Sequence, residues 1–299
     1  MHAFIKIIIY LIIIFIIISF LKKCFSNEFI KDVKKCNINN DGFILLENML
    51  TPQQIKYFST LAKTGHYKKI KNEIVNSKYI NKRITDKLGE GYQFMDYVWM
   101  IMKSNVHTCH RDNNGLFFNP GQKHHSYTIL FYLEDMDSCL DVIPKSHKSM
   151  SQHSVNWTDE TKRVKCNPGS AILFNANLIH TGSFNKKHNN IRIQMKITHK
   201  DDFEAIKYYQ NFNKYLNKEN NVPESLRKIQ KHVSCQLPVI SDVTQNTNIK
   251  TARGTSHGAK IPFSQKIFSL IAYGNPNYYD LPDAEKFKNM CSVNKYRSF

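Results

Sequence analysis

The 299 residues of the chain are enough for one large domain or two ordinary ones. Apolar residues at 41% and charged residues at 22% exclude a wholly disordered, collagen-like or disulfide-stapled chain. The net charge of +18 invites a polyanionic partner, yet only seven of the 42 basic residues are Arg, the side chain that grips bases and phosphates in bidentate fashion, and no basic stripe with interleaved aromatics occurs, so nucleic acid is not an expected partner.

Ile7 to Leu21 carries no charge, and Ala3 to Leu21 extends the apolar run past Lys6, whose side chain can snorkel to an interface. This length suffices for a bilayer-crossing helix, so residues 1–26 are expected to form a single-pass transmembrane anchor. No small-residue cleavage site precedes Lys22-Lys23-Cys24, which favours retention over removal as a signal peptide. Lys22, Lys23, Lys31, Lys34 and Lys35 outnumber the positive charges before the run, which places the following domain in the cytoplasm. A sequon at Asn156-Trp157-Thr158 would be usable only on the opposite side.

The folded part is expected to begin near residue 37. Gly42 to Leu46 reads as a short strand. A helix follows, with Thr51 as cap, Pro52 at the first position and Gln54 completing a capping box. Residues 63–91 are lysine-rich without a clear period and read as helix and loop. From Tyr92 the pattern changes to short β runs at 97–102, 127–133, 141–143, 170–174 and 191–198. Without helical periods between them, these predict an antiparallel sandwich or barrel rather than a parallel α/β sheet. Phe203, Ile206, Tyr209, Phe212 and Leu216 have helical spacing, and Ile261 to Ala272 reads as a second late helix. Residues 241–258 read as loops, and the tail from Asn275 as polar and aromatic. Seven cysteines without a C-x-x-C pair favour free thiols over a disulfide frame or a structural zinc site.

Thirteen histidines make any single one uninformative, so spacing decides. His110-Arg111-Asp112 puts two metal-competent side chains at i and i+2, which share a face in extended backbone. His180 follows a strand seventy residues later, and Arg192 opens the next strand. Two imidazoles and one carboxylate on one face of an iron leave positions open for a chelating co-substrate and dioxygen. The planar guanidinium of Arg192 suits the far carboxylate of a diacid. A surface turn at 110–115 is the plain alternative for the first pair, supported by Asn113-Asn114-Gly115. A kinase catalytic loop fails, because Phe117 stands where an Asn is needed. His147 reads as a structural histidine, and His124-His125 as candidates for lining a pocket entrance. Arg192 could equally be exposed, since Ile191, Ile193, Met195 and Ile197 alternate with it, and parity leaves open which face looks inward.

Taken together the sequence resembles the phytanoyl-CoA dioxygenase-like branch of the Fe(II)/2-oxoglutarate-dependent oxygenases from about Asp41 to Ile197. The matching pieces are Gly42-Phe43-Ile44 with Leu50 to Ile55, His110-Arg111-Asp112, Tyr127 to Leu133 with Cys139 to Lys148, Gly169 to Phe174 with His180-Thr181-Gly182, and Arg192. The resemblance implies a mainly β fold with flanking helices, a double-stranded β-helix (jelly-roll, cupin-like) barrel. It implies Fe(II) held by His110, Asp112 and His180 as the catalytic metal ligands, and 2-oxoglutarate anchored by Arg192 with Leu130 facing it. It further implies hydroxylation of an organic small-molecule or lipid-like substrate by dioxygen, with succinate and CO2 released. Lys145 stands where the family commonly has Gly, and Gln194 and Gly182 replace hydroxyl side chains that elsewhere help hold the co-substrate. Halogenating relatives lack the carboxylate that Asp112 provides, so its presence favours hydroxylation. The expected organisation is therefore an anchor at 1–26, an oxygenase domain at 37–200 and a helical and loop extension at 201–299 packing on it. The alternative is a non-catalytic β-barrel binding module at a membrane with a degenerate metal site, or the same site holding zinc or nickel.

Overall fold

The computed structural model describes residues 2–25, 35–103, 106–149, 161–185, 190–237 and 263–279; the sequon at 156–158 and the stretch 241–258 lie outside them. Helix α1 covers His2–Phe25, and a single turn, α2, covers Ile38–Asp41. Strand β1 (Phe43–Leu46) precedes three helices, α3 (Pro52–Lys63), α4 (Tyr67–Val75) and α5 (Lys78–Leu88). Helix α3 starts as its sequence dictates. The Thr51 hydroxyl accepts from the Gln54 amide at 3.2 Å, and Gln54 Oε1 accepts from the Thr51 amide at 2.9 Å, so two otherwise orphaned donors are satisfied reciprocally.

Strands β2 (Tyr92–Phe94), β3 (Tyr97–Ile101), β4 (Tyr127–Tyr132), β5 (Leu140–Val142), β6 (Lys162–Val164), β7 (Ala171–Asn175), β8 (His180–Gly182), β9 (Arg192–His199) and β10 (Phe212–Leu216) complete the β part. They form two sheets. The larger runs β1-β7-β4-β9-β3-β10, with β2 also paired to β9, and the smaller runs β6-β5-β8. The arrangement is jelly-roll-like, but among the described residues it does not close into the expected barrel: the hydrogen-bonded order ends at β1 and β10 in one sheet and at β6 and β8 in the other.

The alternation of side chains along the strands decides which face is which. Val98 and Met100 of β3, Ile129 and Phe131 of β4, and Ile193, Met195 and Ile197 of β9 point to one side. There they pack with Phe58, Leu61, Ile70, Ile74, Ile80 and Ile84 of the three helices. Each fully buried Ile of this layer contributes about 2 kcal/mol by removal from water. The opposite parity, Leu130 and Tyr132 of β4 with Ile172 and Phe174 of β7, faces Leu140, Val142 and Val164 of the smaller sheet. Arg192, Gln194 and Lys196 share that inward parity on β9.

Three expectations are corrected. The helical spacing at 203–216 resolves into 3-10 turns followed by β10, because Asn211 takes a left-handed φ of +60° that breaks a helix. The buried side chains are those expected, but β10 adds to the sheet edge in parallel with β3. Cysteines are not all free thiols: Cys109 and Cys235 form a disulfide with Cα atoms 4.9 Å apart. A sequence separation of 126 residues hides that pairing from any local motif. Third, the transmembrane helix is not supported: among the described residues no helix is long and apolar enough to cross a membrane. Helix α1 instead lies against α6 (Glu224–Gln236), with Phe20 edge-to-face on His232 at 5.0 Å, and exposes Ile7 to Ile18 elsewhere.

Helix α6 is tied to the sheets by several bonds besides the disulfide. The Ser234 hydroxyl accepts from the Cys109 amide at 2.8 Å, Gln230 meets His107 Nε2 at 2.8 Å, and Lys231 pairs with the buried Asp141 of β5. The late helix expected at 261–272 is α7, Phe263–Tyr273.

Candidate metal centre

His110 and His180 form an antiparallel bridge, each donating its amide to the other's carbonyl at 3.0 Å. Facing residues of such a pair carry their side chains on the same face, and the two imidazole centroids lie 4.5 Å apart. In each ring Nδ1 sits 2.9 Å from a carbonyl two residues back, that of Thr108 for His110 and that of Leu178 for His180. A carbonyl can only accept, so Nδ1 carries the proton in both rings, and both Nε2 lone pairs are left for a metal. Asp112 is fixed by its own amide, which donates to the Ala176 carbonyl at 2.8 Å. One ligand atom from each of His110, Asp112 and His180 lies within 4.8 Å of the other two, and all three residues are buried.

Electrostatics keep this set in its ligating forms. Burial pushes the Asp112 carboxyl up, but the Lys196 ammonium beside it outweighs burial and holds the group well below the usual carboxylate range. Burial lowers the His180 imidazole, opposed by the Asp112 charge, so the ring is neutral at physiological pH. Neutral imidazoles and an ionised carboxylate are the states that bind a divalent cation. Nitrogen and oxygen donors on one face, with thiolates absent from the set, fit iron(II).

The three ligands open onto one cavity between the sheets. Leu130 of β4 and Arg192 of β9 line it, so the structure brings together all five residues singled out from the sequence. Arg192 is buried, not exposed, with Nη1 donating to the Asn190 carbonyl at 3.2 Å. Gln194 and Gly182 also face the cavity. His147 is buried and bonded to the Asn39 carbonyl, as a structural histidine. His124 does not line the entrance: it stacks on His199 at 3.9 Å and contacts Asp202, apart from the cavity. Arg111 points away from the ligands, is fully buried, and donates Nε to the Asn177 carbonyl at 2.9 Å, bracing the loop that leads to His180.

Sequence reasoning missed three contributors. Lys196 Nζ lies 2.6 Å from Asp112 Oδ2 and 2.7 Å from Thr128 Oγ1, and Thr128 itself donates to the same carboxylate oxygen. Both sit on inward positions, and the alternation of Arg192, Gln194 and Lys196 with buried aliphatics was a usable signal once the inward face was known. The third, Tyr279, reaches the cavity from beyond α7, with no periodicity to announce it.

A jelly-roll-like pair of sheets thus encloses a His-x-Asp…His cluster, with a buried Arg on the strand that follows. Residues 62–192 match the family model described as phytanoyl-CoA dioxygenase (PhyH). The matched stretch contains every one of the five residues above, and the resemblance to this family read from the sequence is borne out. Comparison with curated proteins finds no match. Among solved structures, similarity extends to the non-heme alpha-ketoglutarate-dependent epimerase SnoN from nogalamycin biosynthesis, with a TM-score of 0.46 and 11% identity over 55% of this chain and 78% of that one. HygX from Streptomyces hygroscopicus with nickel and 2-oxoglutarate bound gives 0.40 and 11% over 54% and 84%. EvdO2 from Micromonospora carbonacea var. aurantiaca complexed with 2-oxoglutarate gives 0.40 and 12% over 57% and 91%.

Proposed function

We propose that this protein is an Fe(II)/2-oxoglutarate-dependent dioxygenase that hydroxylates an organic small molecule, with His110, Asp112 and His180 holding the metal and Arg192 anchoring the far carboxylate of the co-substrate. The observation that carries this reading is the ligand triplet itself: three buried donors within 4.8 Å of one another, both imidazoles turned by carbonyl contacts so that Nε2 is the lone-pair atom. Iron(II), bound together with 2-oxoglutarate, supplies dioxygen activation, with succinate and carbon dioxide as co-products. The chain's own contribution is positioning and exclusion of water. The bridge between His110 and His180 sets ligand spacing, Asp112 supplies the anionic donor, and Arg192 offers two parallel N–H donors to a carboxylate. Leu130, Phe174, Trp99 and Tyr209 give the cavity an apolar lining in which these charges act with little screening.

The test is succinate formation by the purified full chain. Turnover should require both iron and 2-oxoglutarate, and Asp112→Ala should abolish it together with stoichiometric metal binding. A chain that binds no metal, or whose thermal stability ignores 2-oxoglutarate, is the non-catalytic binding module instead.

A further inference from the structure

Cys139 and Cys166 meet where β5 and β6 of the smaller sheet run side by side. Cys139 directly precedes β5, its amide donating to the Val164 carbonyl at 2.9 Å, and Cys166 lies two residues beyond β6. The ladder between these strands therefore holds both backbones. A bond of 3.2 Å from the Tyr132 hydroxyl to the Cys139 carbonyl ties the first of them to the larger sheet. Within this frame the two sulfurs lie 2.9 Å apart, and the Cys166 amide donates to Cys139 Sγ at 3.3 Å. An S–S bond measures about 2.05 Å, so a sulfur movement of less than about 1 Å separates the pair from a covalent link.

Buried cysteines often serve only as small apolar fillers, and both of these pack in the core between the two sheets. Two further features set this pair apart. Cys139 lines the cavity that holds the candidate metal ligands, whereas Cys166 lies behind it, so a small molecule in the cavity reaches one sulfur and leaves the other as its neighbour. The hydrogen bonds from Cys166 also lower the Cys139 thiol in spite of its burial, and thiolate character is what makes a sulfur nucleophilic.

We infer that Cys139 and Cys166 form an oxidative modification site, a dithiol that closes to a disulfide when hydrogen peroxide, a small neutral oxidant, enters the cavity. Cys139 Sγ attacks one peroxide oxygen; the O–O bond breaks, an S–O bond forms, and the departing hydroxide takes the Cys139 proton to leave as water. The resulting sulfenic acid is then attacked by Cys166 Sγ. The S–S bond forms, the S–O bond breaks, and the hydroxide leaves with the Cys166 proton as a second water. Two thiols are oxidised by two electrons, and one peroxide is reduced to two waters. Neither step uses the metal centre, so the pair stands or falls apart from the dioxygenase reading.

Peroxide treatment of the full chain, followed by catalase, denaturation, alkylation and peptide mass spectrometry, tests it. Before peroxide, both cysteines should be alkylated. After it, alkylation at Cys139 and Cys166 should be lost together, and a joined peptide pair, lighter than the two parts by two hydrogens and separated again by a phosphine reductant, should take its place. The same dose given to the urea-unfolded chain should yield that pair no more often than other pairings. In Cys166→Ser, Cys139 should instead gain two or three oxygens, having lost the thiol that resolves its sulfenic acid. Wild-type cysteines that both stay alkylatable when exposed Met residues are already oxidised, a Cys139 that gains oxygens without forming the link, or a link that forms equally in the unfolded chain overturns the inference. Should Cys166→Ser fail to fold, the comparison of folded with unfolded wild type decides alone.

Discussion

Arg192 is placed by β9, where Ile191 and Ile193 face the helical layer and fix its inward direction. Its planar donors cannot be replaced by a shorter side chain without leaving a buried carboxylate half-paired. Arg192→Ala should therefore raise the KM for 2-oxoglutarate by about 10- to 100-fold, matching the roughly 1.5–3 kcal/mol of a charged hydrogen bond, while leaving metal affinity near wild type; succinate kinetics and metal titration check the two halves. Lys145 shows how a turn that favours Gly can hold another residue. It takes φ +69°, the left-handed backbone that Gly adopts freely, and its amide donates to the Asp41 carbonyl at 3.0 Å, so the turn survives with a lysine in it. His110, Asp112, His180 and Arg192 were legible because each stands at a fixed offset from a strand or from another ligand. Lys196 was not, because a lysine in a lysine-rich chain carries no signal until its strand face is known.

At the scale of elements, the capping box of α3 and the strands β3, β4, β7 and β9 could be read directly, since period and caps are local properties. Helix α6 could not be foreseen as the brace behind the metal centre. It is held by contacts that join residues 90 or more positions apart: Cys109 with Cys235, His107 with Gln230, and Asp141 with Lys231. The disulfide neighbours His110, so its loss should loosen the ligand strand as well as the helix. Cys235→Ser should lower stability by about 2–4 kcal/mol, seen as a drop in Tm, and the wild type should show the same drop on reduction. Without reductant, alkylation of the denatured chain should modify Cys24, Cys36, Cys139 and Cys166, the free thiols among the described residues, but neither Cys109 nor Cys235.

The same brace gives a pH dependence. Burial, reinforced by the nearby Arg227 and Lys231 charges and opposed by the Gln230 contact, lowers His107 to about 4 from an ordinary 6.5. The folded state thus binds fewer protons than the unfolded state between these values. Stability from this group is complete above pH 6.5 and is lost as pH falls towards 4, by about 2 kcal/mol at pH 5. Urea unfolding at pH 7.5 and 5 should show that loss, and His107→Gln should show a smaller one.

For the whole molecule, the fold class was readable from the succession of short β runs. The closure of the sheets was not, since barrel or sandwich depends on which edges pair. The helical spacing at 203–216 misled for a related reason: Ile206, Tyr209, Phe212 and Leu216 are buried by one aromatic cluster, but from turns and a strand. Because β10 covers the free edge of β3 and carries Phe212 and Leu216 into the cavity wall, a chain cut at residue 200 would expose that edge and open the pocket. Such a fragment should yield little soluble protein and show no thermal response to nickel and 2-oxoglutarate, in contrast to the full chain.

Tyr279, stacked in a trio with Tyr273 and Tyr278, gives the cavity a timing in biosynthesis. The candidate metal ligands emerge from the ribosome about a hundred residues before Tyr279, the last cavity-lining aromatic among the described residues, a gap of several seconds at least at ordinary elongation rates. Throughout that interval the nascent chain presents its donors to the surrounding fluid, so metal capture can precede enclosure rather than wait for a finished pocket to reopen.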